Sequence, residues 1–297
     1  MSKSLKIAFI GLGAMGTPMA RRLVEAQHHV TGYDMRADAI AKLVAAGGHG
    51  AASPAVAAKD ADMLIVMVVS ADQADSVLAT PGILAALKPD ATVIVTATCA
   101  PARIEAMAAL VAKSGRHFVD APVSGGVAGA ESGTLTIMAA APTPVFERAR
   151  AILFAMGSAL HHLGEKPGQG AAMKIVNQLL CGIHIATAAE GLALAERAGI
   201  DPNLALEILS GSAASSWMLK NRGARMIADD GKVTSAVDIF VKDMGLVLDA
   251  GRSAKMGLPL AAVTHQLFLA ASGMGHGGKD DSQVIEAYRA WNPGGKT

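Results

Sequence analysis

The stretch LKIAFIGLGAMGTPMARRLVEAQHHVTGYD, residues 5–34, decides the fold of this chain. The apolar run LKIAFI predicts a strand, the spacing over 14–26 predicts a helix, and HHVTGYD predicts a second strand that ends at Asp34. Strand, glycine turn, helix and strand in this order are typical of a βαβ unit that binds a dinucleotide.

Three glycines occupy the turn between the first strand and the helix, at G-x-G-x-x-G spacing. Gly11 allows the tight turn, Gly13 lets the backbone approach a pyrophosphate, and Gly16 lets helix and strand pack closely. The helix N-terminus offers free N–H groups and the positive end of its dipole to the phosphates. The predicted cofactor-binding residues of this turn are Gly11, Leu12, Gly13, Ala14, Met15 and Gly16.

The acid at the end of the second strand predicts which dinucleotide binds. Asp34 follows the glycines by about 20 residues, where a carboxylate accepts a hydrogen bond from the ribose 2′-hydroxyl of NAD and repels the 2′-phosphate of NADP. Arg36 lies where it could contact a 2′-phosphate, but an arginine at a helix start more often extends into solvent. We therefore predict NAD as the cofactor, with Asp34, Met35 and Arg36 at its adenosine end.

Short apolar runs continue to alternate with helical patterns as far as residue 120. The runs MLIVMVV, ATVIVT and RHFVDA predict further strands, with helices over 36–46 and 101–114 between them. This rhythm indicates βαβ repeats and hence a doubly wound, mostly parallel sheet of the Rossmann type. Strand-like runs over 134–140 and around Leu160 are expected to extend the same sheet.

Every segment beyond Gly164 shows a helical pattern. We therefore predict two domains, an NAD-binding Rossmann domain over 1–164 and an all-helical substrate and dimerisation domain over 165–297. A long helix that ends near Arg197 begins the second domain and is apolar on nearly all sides, which predicts a buried helix. Such a helix also predicts burial against a partner subunit, so we expect a homodimer or homotetramer.

Composition excludes several classes of partner. Net charge is +1 and aromatic residues are 3% of the chain, which leaves no basic stripe or stacking surface for nucleic acid. The longest unbroken apolar run, MLIVMVV, is far shorter than a membrane span, and no cleavage site separates the N-terminal apolar run from the glycine turn. We expect a cytoplasmic protein with a small-molecule partner, no nucleic acid and no membrane. The two cysteines and the scattered histidines lack ligand spacing, so we expect no metal site.

Four ordered motifs resemble those of the β-hydroxyacid dehydrogenases. They are GLGAMGTPMARRL from Gly11, DAPVSGGVAGAESGTLTIMAA from Asp120, GQGAAMKIVNQ from Gly168 and FVKDMGLVLDAG from Phe240. The resemblance covers essentially the whole chain. It implies a nicotinamide-dependent oxidoreductase that transfers a hydride to or from a small hydroxy acid.

The resemblance implies that Ser124, Gly125 and Gly126 bind the substrate carboxylate. They follow a predicted strand, so a hydroxyl and two unobstructed backbone N–H groups converge as an anion nest. An ordinary glycine turn is the alternative interpretation, and the surrounding motif favours carboxylate binding.

Lys174 is the implied catalytic residue, and it is unusual in itself as a lone cation in an apolar helical segment of some twenty residues. Burial favours the neutral amine, which can take the hydroxyl proton during oxidation and return it during reduction. A lysine whose stem lies along the helix and whose ammonium reaches water is the alternative. Asn177, three residues further along the chain, favours the catalytic role of Lys174. Gln178 occupies a position where many relatives have a second asparagine. The sequence leaves open which amide contacts the substrate.

Further implied site residues lie on separate segments. Lys242, with Phe240 packed beneath it, is expected to reach the cofactor, although a Lys-Asp pair near a helix start is commonly solvated. Thr98 in TATCAP is expected near the nicotinamide, although relatives carry an acid where this chain has Val95. Asp280 in GHGGKDDS is expected at the mouth of the substrate site.

SSWMLKNRGARMIADDG and SAVDIFVKD are similar to the branch of the family that acts on four-carbon sugar acids such as L-threonate. Trp217 is expected either to wall the pocket or to pack in the core. Lys220, Asn221 and Arg222, or the carboxylates of DDS, are expected to meet the polyol tail. The alternatives are 3-hydroxyisobutyrate and tartronate semialdehyde. A cofactor-binding scaffold without turnover would need neither Lys174 nor the serine-glycine nest, and imine-reducing relatives usually replace the lysine.

Overall fold

The computed structural model of this chain describes residues 4–292. The chain divides into two compact units, Met1–Lys174 and Ile175–Thr297. The outermost residues of the predicted domains, 1–3 and 293–297, lie outside the described residues. The predicted boundary after residue 164 precedes the long helix, whereas the boundary between the units falls within it, and the predicted boundary stays a prediction.

The first unit is built on one sheet. Among the described residues its strands are β1 (Lys6–Ile10), β2 (His29–Tyr33), β3 (His49–Gly50), β4 (Met63–Val66), β5 (Thr92–Val95), β6 (His117–Asp120), β7 (Val123–Ser124), β8 (Thr136–Ala140) and β9 (Ala159–Gly164). Their order is β3-β2-β1-β4-β5-β6-β8-β7, and β9 pairs with β8. The strands from β1 to β6 are mutually parallel, while β8 is antiparallel to β6 and β7 and parallel to β9. The predicted mostly parallel Rossmann-type sheet is confirmed.

Helices cover both faces of this sheet. They are α1 (Gly16–Glu25), α2 (Ala37–Ala45), α3 (Pro54–Ala57), α4 (Ala71–Leu78), α5 (Ile83–Ala86), α6 (Pro101–Lys113), α7 (Gly126–Ser132) and α8 (Thr143–Met156). The residues of β1 alternate between two apolar clusters, with Ile7 and Phe9 in one and Ala8 and Ile10 in the other. Because successive side chains of a strand point to opposite faces, the sheet is buried on both sides, as its apolar strands require.

The second unit is helical. The long helix α9 (Gln169–Arg197) begins in the first unit and continues into the second, and it is followed by α10 (Pro202–Gly211), α11 (Trp217–Ala228), α12 (Val237–Ser253), α13 (Pro259–Ala271) and α14 (Ile285–Trp291). A π-helical turn at Ser272–His276 and a 3₁₀ helix at Asp281–Val284 link the last two. Besides these helices, the described part of this unit contains one isolated β-bridge, between Ala236 and Asp280. The predicted all-helical C-terminal region is confirmed.

Helix α9 is less buried within the chain than its sequence predicts. Apolar side chains along it remain exposed: Met173, Val176, Leu180 and Leu194. Length and composition alone would let this helix cross a membrane, but core helices of globular proteins meet the same criteria, and 44% of its most apolar window is buried here. The predicted burial of this helix is therefore only partial within the single chain, since periodicity cannot show whether an apolar face packs within a chain or against a second one. Burial against a partner subunit stays a prediction.

Candidate active site

The glycine turn has the shape that the motif predicts. A Cβ added to Gly11, whose φ is +94°, would lie 2.1 Å from the carbonyl oxygen of Met67, and one added to Gly16 would lie 1.9 Å from that of Gly11. A Cβ on Gly13 would meet no atom within 4 Å. Backbone packing therefore requires the first and third glycines, whereas the second borders open space. That space, beside the start of α1, fits the approach of a pyrophosphate.

The other residues of the turn divide between core and surface. Leu12 is buried in the apolar core of the first unit, Met15 packs against that core, and Ala14 is exposed. Met15 occupies the N-cap position of α1 without a side-chain hydrogen bond. The helix N-terminus thus carries no side-chain cap from this residue, and backbone N–H groups remain for an anion.

Asp34, directly after β2, is tied to the glycine turn. Its Oδ2 accepts a hydrogen bond from Leu12 N at 2.8 Å, and its Oδ1 accepts one from Arg36 N at 2.9 Å. The Arg36 guanidinium lies 3.4 Å from Oδ1 and is 58% exposed, and Met35 is 93% exposed. The carboxylate therefore sits fixed beside the turn, and the arginine charge next to it is already paired.

The carboxyl ends of the parallel strands place further predicted residues at the same edge of the sheet. Half-buried Thr98 follows β5, and β6 leads into the segment that contains Ser124. Ser124 ends β7, where it pairs with Thr136 of β8 and is half-buried. Such an edge is where open parallel sheets bind their ligands.

The serine-glycine segment combines a hydroxyl with exposed backbone. Gly125 and Gly126 have φ values of +130° and +62°, which L side chains rarely adopt. A Cβ on Gly126 would meet nothing within 4 Å. The backbone at this point is therefore open to a ligand, beside the hydroxyl of Ser124.

Lys174 is 7% exposed in the second turn of α9. The start of this helix is held by Asp120, the last residue of β6, which sequence reasoning did not select. Asp120 Oδ2 accepts hydrogen bonds from Gly168 N at 3.0 Å and Ala171 N at 2.9 Å. Burial raises the pKa of Asp120 to about 6, although those N–H groups act to lower it. The only signal in the sequence was an acid at the end of the apolar run HFVDA.

In the second unit a hydrogen-bonded chain joins four predicted or neighbouring residues. Asn177 Nδ2 donates to Gln178 Oε1 at 2.8 Å, and Gln178 Nε2 donates to Asp243 Oδ2 at 2.5 Å. Lys242 Nζ donates to the other oxygen of Asp243, also at 2.5 Å. Asp243 is 1% exposed. This carboxylate therefore links the amides of α9 to the lysine of α12.

Phe240 and Asp280 both lie inside the second unit. Phe240 is 3% exposed and stacks on Phe268 with 5.1 Å between ring centroids. Asp280 Oδ2 accepts hydrogen bonds from Arg225 at 2.7 Å and from Thr234 N at 2.9 Å. Burial acts to raise the pKa of Asp280, but these hydrogen bonds and the Arg225 charge hold it below its ordinary value.

The residues suggested for a polyol tail are partly engaged elsewhere. Arg222 forms a bidentate ion pair with Asp281 at 2.9 Å on both sides, and it also donates to Asn221 at 2.6 Å. The side chains of Arg222 and Asp281 are 8% and 0% exposed. The Arg222 guanidinium also lies 5.9 Å from the ring of Trp217, which is 53% exposed. Trp217 is therefore not a core residue of the single chain.

Comparisons with known proteins give matches over nearly the whole chain. The NAD-binding domain of 6-phosphogluconate dehydrogenase matches residues 6–164, and the NAD-binding domain of NADP-dependent 3-hydroxyisobutyrate dehydrogenase matches residues 168–288. The chain is 43% identical to an L-threonate dehydrogenase from Cupriavidus necator, over 96% of both proteins. It is 37% identical to a 2-(hydroxymethyl)glutarate dehydrogenase from Eubacterium barkeri, over 97% of this chain and 96% of that protein.

Among solved structures, a 3-hydroxyisobutyrate dehydrogenase from Salmonella typhimurium superposes with a TM-score of 0.90 at 38% identity. The match covers 94% of this chain and 98% of that one. The resemblance seen in the four sequence motifs is thereby confirmed. The chain belongs to the β-hydroxyacid dehydrogenases, the nicotinamide-dependent family that includes 3-hydroxyisobutyrate dehydrogenase.

Proposed function

We propose that this dehydrogenase oxidises a four-carbon sugar acid of the L-threonate type and uses NAD as its cofactor. The observation that carries the proposal is the near full-length similarity to proteins named L-threonate dehydrogenases, at 38–43% identity. The buried Lys174 and the open serine-glycine backbone supply the chemistry that such a reaction needs.

In this proposal the glycine turn holds the pyrophosphate of NAD, and Asp34 faces the adenine ribose. A carboxylate that already accepts two backbone N–H groups keeps lone pairs for a 2′-hydroxyl. The same negative charge repels a 2′-phosphate. Because Arg36 is paired with Asp34, its guanidinium would attract a 2′-phosphate less strongly. Met35, which extends into solvent next to the carboxylate, supplies an apolar surface for adenine. Thr98, in the segment that follows β5, and Lys242 contact the nicotinamide end. Phe240, packed in the core of the second unit, supports α12.

Ser124, Gly125 and Gly126 bind the substrate carboxylate. The Ser124 hydroxyl and the two glycine N–H groups are donors, and the backbone has the left-handed conformations that form anion-binding nests. Asp280 keeps its predicted place at the mouth of the substrate site. It acts there by accepting hydrogen bonds from Arg225 and Thr234, which fix the segment that precedes α12.

Lys174 moves the proton of the reaction. Bound nicotinamide supplies the acceptor for the hydride that leaves the carbinol carbon. As that C–H bond breaks, the neutral Nζ of Lys174 takes the hydroxyl proton, and the carbon–oxygen bond becomes a carbonyl. In the reverse direction the ammonium returns the proton to the carbonyl oxygen.

Asn177 and Gln178 divide the work that relatives give to two asparagines. Asn177 Nδ2 donates to Gln178 Oε1 and to Cys181 Sγ, at 2.8 and 3.3 Å, which engages both of its hydrogens. Its Oδ1 then serves as an acceptor for a substrate hydroxyl. Gln178, held on Asp243, orients Asn177, and the proposal gives the substrate contact, which the sequence leaves open between the two amides, to Asn177.

The oxidation of 3-hydroxyisobutyrate is the second candidate. It is favoured by the solved Salmonella typhimurium dehydrogenase of that name, which matches nearly the whole chain. Reduction of tartronate semialdehyde would use the same proton donor in the opposite direction.

We further propose that the enzyme is a cytoplasmic homodimer or homotetramer. In each subunit the NAD-binding domain ends at residue 164, and the substrate and dimerisation domain follows it. The apolar side chains of α9 that stay exposed in the single chain support burial against a second subunit. Light scattering of the purified protein tests this, and a monomer at micromolar concentration would refute it.

The decisive experiment is a panel of initial rates followed by the absorbance of NADH or NADPH. L-threonate, D-glycerate and 3-hydroxyisobutyrate are each offered with NAD and with NADP. We expect the highest kcat/KM for L-threonate with NAD. A higher value for 3-hydroxyisobutyrate would establish the second candidate, and preference for NADP would refute the role of Asp34.

Lys174→Ala tests the mechanism. Turnover is expected to fall by roughly 10²- to 10⁴-fold, the range for the loss of a general acid-base, while NADH binding stays within a few-fold of wild type. Lys166→Ala, the removal of an exposed lysine just before α9, is the matched control. Unchanged turnover in Lys174→Ala would contradict the mechanism.

A further inference from the structure

The start of α9 is capped from a distant part of the chain. The donors are Gly168 N and Ala171 N, and the acceptor is Asp120, 48 and 51 residues earlier. Other helices are capped locally by the residue directly before them, such as α10 by Asp201 and α11 by Ser216. A helix that needed only a satisfied N-terminus could have a capping side chain at residue 168, where this chain has glycine.

The glycines at this point bring the helix start onto the sheet. Gly168 has a φ of +93°, and a Cβ on Gly170 would lie 2.4 Å from the carbonyl oxygen of Met138 and 3.0 Å from Cγ of Asp120. Asp120 itself is fully buried. The first turn of α9 is thus seated directly on the ends of β6 and β8, with the carboxylate beneath it.

Asp120 lies between two parts of the proposed site. It ends β6, four residues before Ser124, and it binds the turn that precedes Lys174 by three residues. The carboxylate therefore joins the strand that leads to the substrate-binding segment with the helix that carries the proton-transferring lysine. A shift of the first turn of α9 would displace Lys174 relative to Ser124 within the first unit.

The carboxylate is also incompletely satisfied, which a purely structural cap has no reason to be. Both hydrogen bonds fall on Oδ2, and Oδ1 is buried without a hydrogen-bond partner among the described residues. A buried polar atom without a partner costs free energy, so its presence calls for an explanation. The positive end of the helix dipole offsets part of the cost.

We propose that Asp120 is a positioning residue for the dehydrogenase reaction: by capping α9 from the end of β6, it sets the place of Lys174 relative to the Ser124 segment. This inference rests on the proposed roles of Lys174 and Ser124. It assigns no contact between Asp120 and the substrate.

The test compares Asp120→Ala, which removes the acceptor, with Asp120→Asn, which keeps an acceptor oxygen in nearly the same shape. Asp201→Ala, which removes a carboxylate cap from α10, is the matched control. For each variant we measure kcat, KM, the Kd of NADH, and amide hydrogen exchange over 168–176. Exchange and NADH binding need no substrate, so they report on Asp120 even if none of the hydroxy acids is turned over.

We expect kcat of Asp120→Ala to fall roughly 10- to 100-fold, the scale for a small misplacement of a catalytic group, with KM and the Kd of NADH changed by less than about 3-fold. Exchange over 168–176 should accelerate. Asp120→Asn should restore kcat and exchange to near the wild-type values, and Asp201→Ala should leave kcat unchanged.

Wild-type kcat in a folded Asp120→Ala would overturn the proposal, as would parallel losses of kcat and NADH binding, which indicate general destabilisation. If Asp120→Ala does not fold, Asp120→Asn decides. Wild-type amide exchange together with a kcat as low as that of Lys174→Ala would show that the charge of Asp120 matters and not its capping geometry, and this would overturn the proposal. If wild type turns over no hydroxy acid but exchange responds as expected, the proposed function fails while the cap stands.

Discussion

The buried carboxylate of Asp120 makes the stability of this protein depend on pH in a direction opposite to that of most carboxylates. Burial raises the pKa of Asp120 from 3.8 to about 6, against the lowering effect of the nearby N–H groups of Ala171, Gly168 and Gly170. The folded protein therefore binds this proton more tightly than the unfolded chain does. The stabilisation is complete below pH 4 and is lost as the pH rises through about 6.

The magnitude follows from the difference between the two pKa values. From 3.8 to about 6, at about 1.4 kcal/mol for each pKa unit, the free energy of unfolding loses about 3 kcal/mol through this group. Asp120→Asn has no charge to bury. Its advantage over wild type should therefore be about 3 kcal/mol larger at pH 8 than at pH 4, as an order of magnitude.

Urea denaturation of wild type and Asp120→Asn, followed by circular dichroism at several pH values from 4 to 8, measures this difference. The pH-dependent contributions of all other titrating groups cancel in the difference between the two unfolding free energies, because both proteins contain the same groups. Two curves that stay parallel over the whole range would refute the buried, proton-binding carboxylate. If the stability difference between Asp120→Asn and wild type shrank as the pH rises, the pKa of Asp120 would be lowered and not raised in the folded protein.

Three further predictions concern the cofactor turn and the second unit. Gly16→Ala should abolish soluble expression or NADH binding because its Cβ would strike a carbonyl, whereas Gly13→Ala should fold normally and only weaken NADH in a fluorescence titration. Arg222→Leu should lower the free energy of unfolding by about 3–5 kcal/mol in urea, because Asp281 is left buried and unpaired. Asp34→Ala should raise the ratio of NADP to NAD activity in kcat/KM.

Each of these has an outcome that would contradict it. Normal NADH affinity in Gly13→Ala would show that no ligand approaches the open space at that residue. Arg252→Leu, which breaks an exposed pair with Asp249, should cost less than about 1 kcal/mol, and an equal loss from Arg222→Leu would contradict the buried pair. An unchanged cofactor ratio in Asp34→Ala would remove the carboxylate from the recognition of the ribose.

The sequence predicts well those features that depend on local spacing. The glycine turn, β1, α1 and β2 follow from periodicity and from glycine positions whose steric demands hold in any such unit. The helical region after residue 164 is equally regular. The eight-residue α4 and the seven-residue α7 were not predicted. The other elements that were not predicted are shorter: β3 and β7 have two residues, and α3 and α5 have four each. Such segments form only because the surrounding sheet and helices hold them, so no local pattern marks them.

The contacts of Asp280 and Asp120 that the sequence could not predict are long-range. Asp280 was expected at a substrate mouth, but the sequence could not show that it holds Thr234 and Arg225, 46 and 55 residues away. Asp120 was quoted only as the start of a motif, because its partners lie 48 residues or more along the chain. Spacing identifies residues that share an element; it does not identify residues that the fold brings together.

Gln178 shows how a departure from the family pattern can be read once the fold is known. A glutamine has one more methylene than asparagine, and here the longer side chain donates to Asp243 while it accepts from Asn177. A shorter side chain at this position would leave a 1%-exposed carboxylate with fewer donors, besides Lys242. Each end of the glutamine amide makes one hydrogen bond inside the second unit, and the proposed function assigns the substrate hydroxyl to Oδ1 of Asn177. In that proposal the glutamine changes how Asn177 is held, and the substrate contact stays with Asn177.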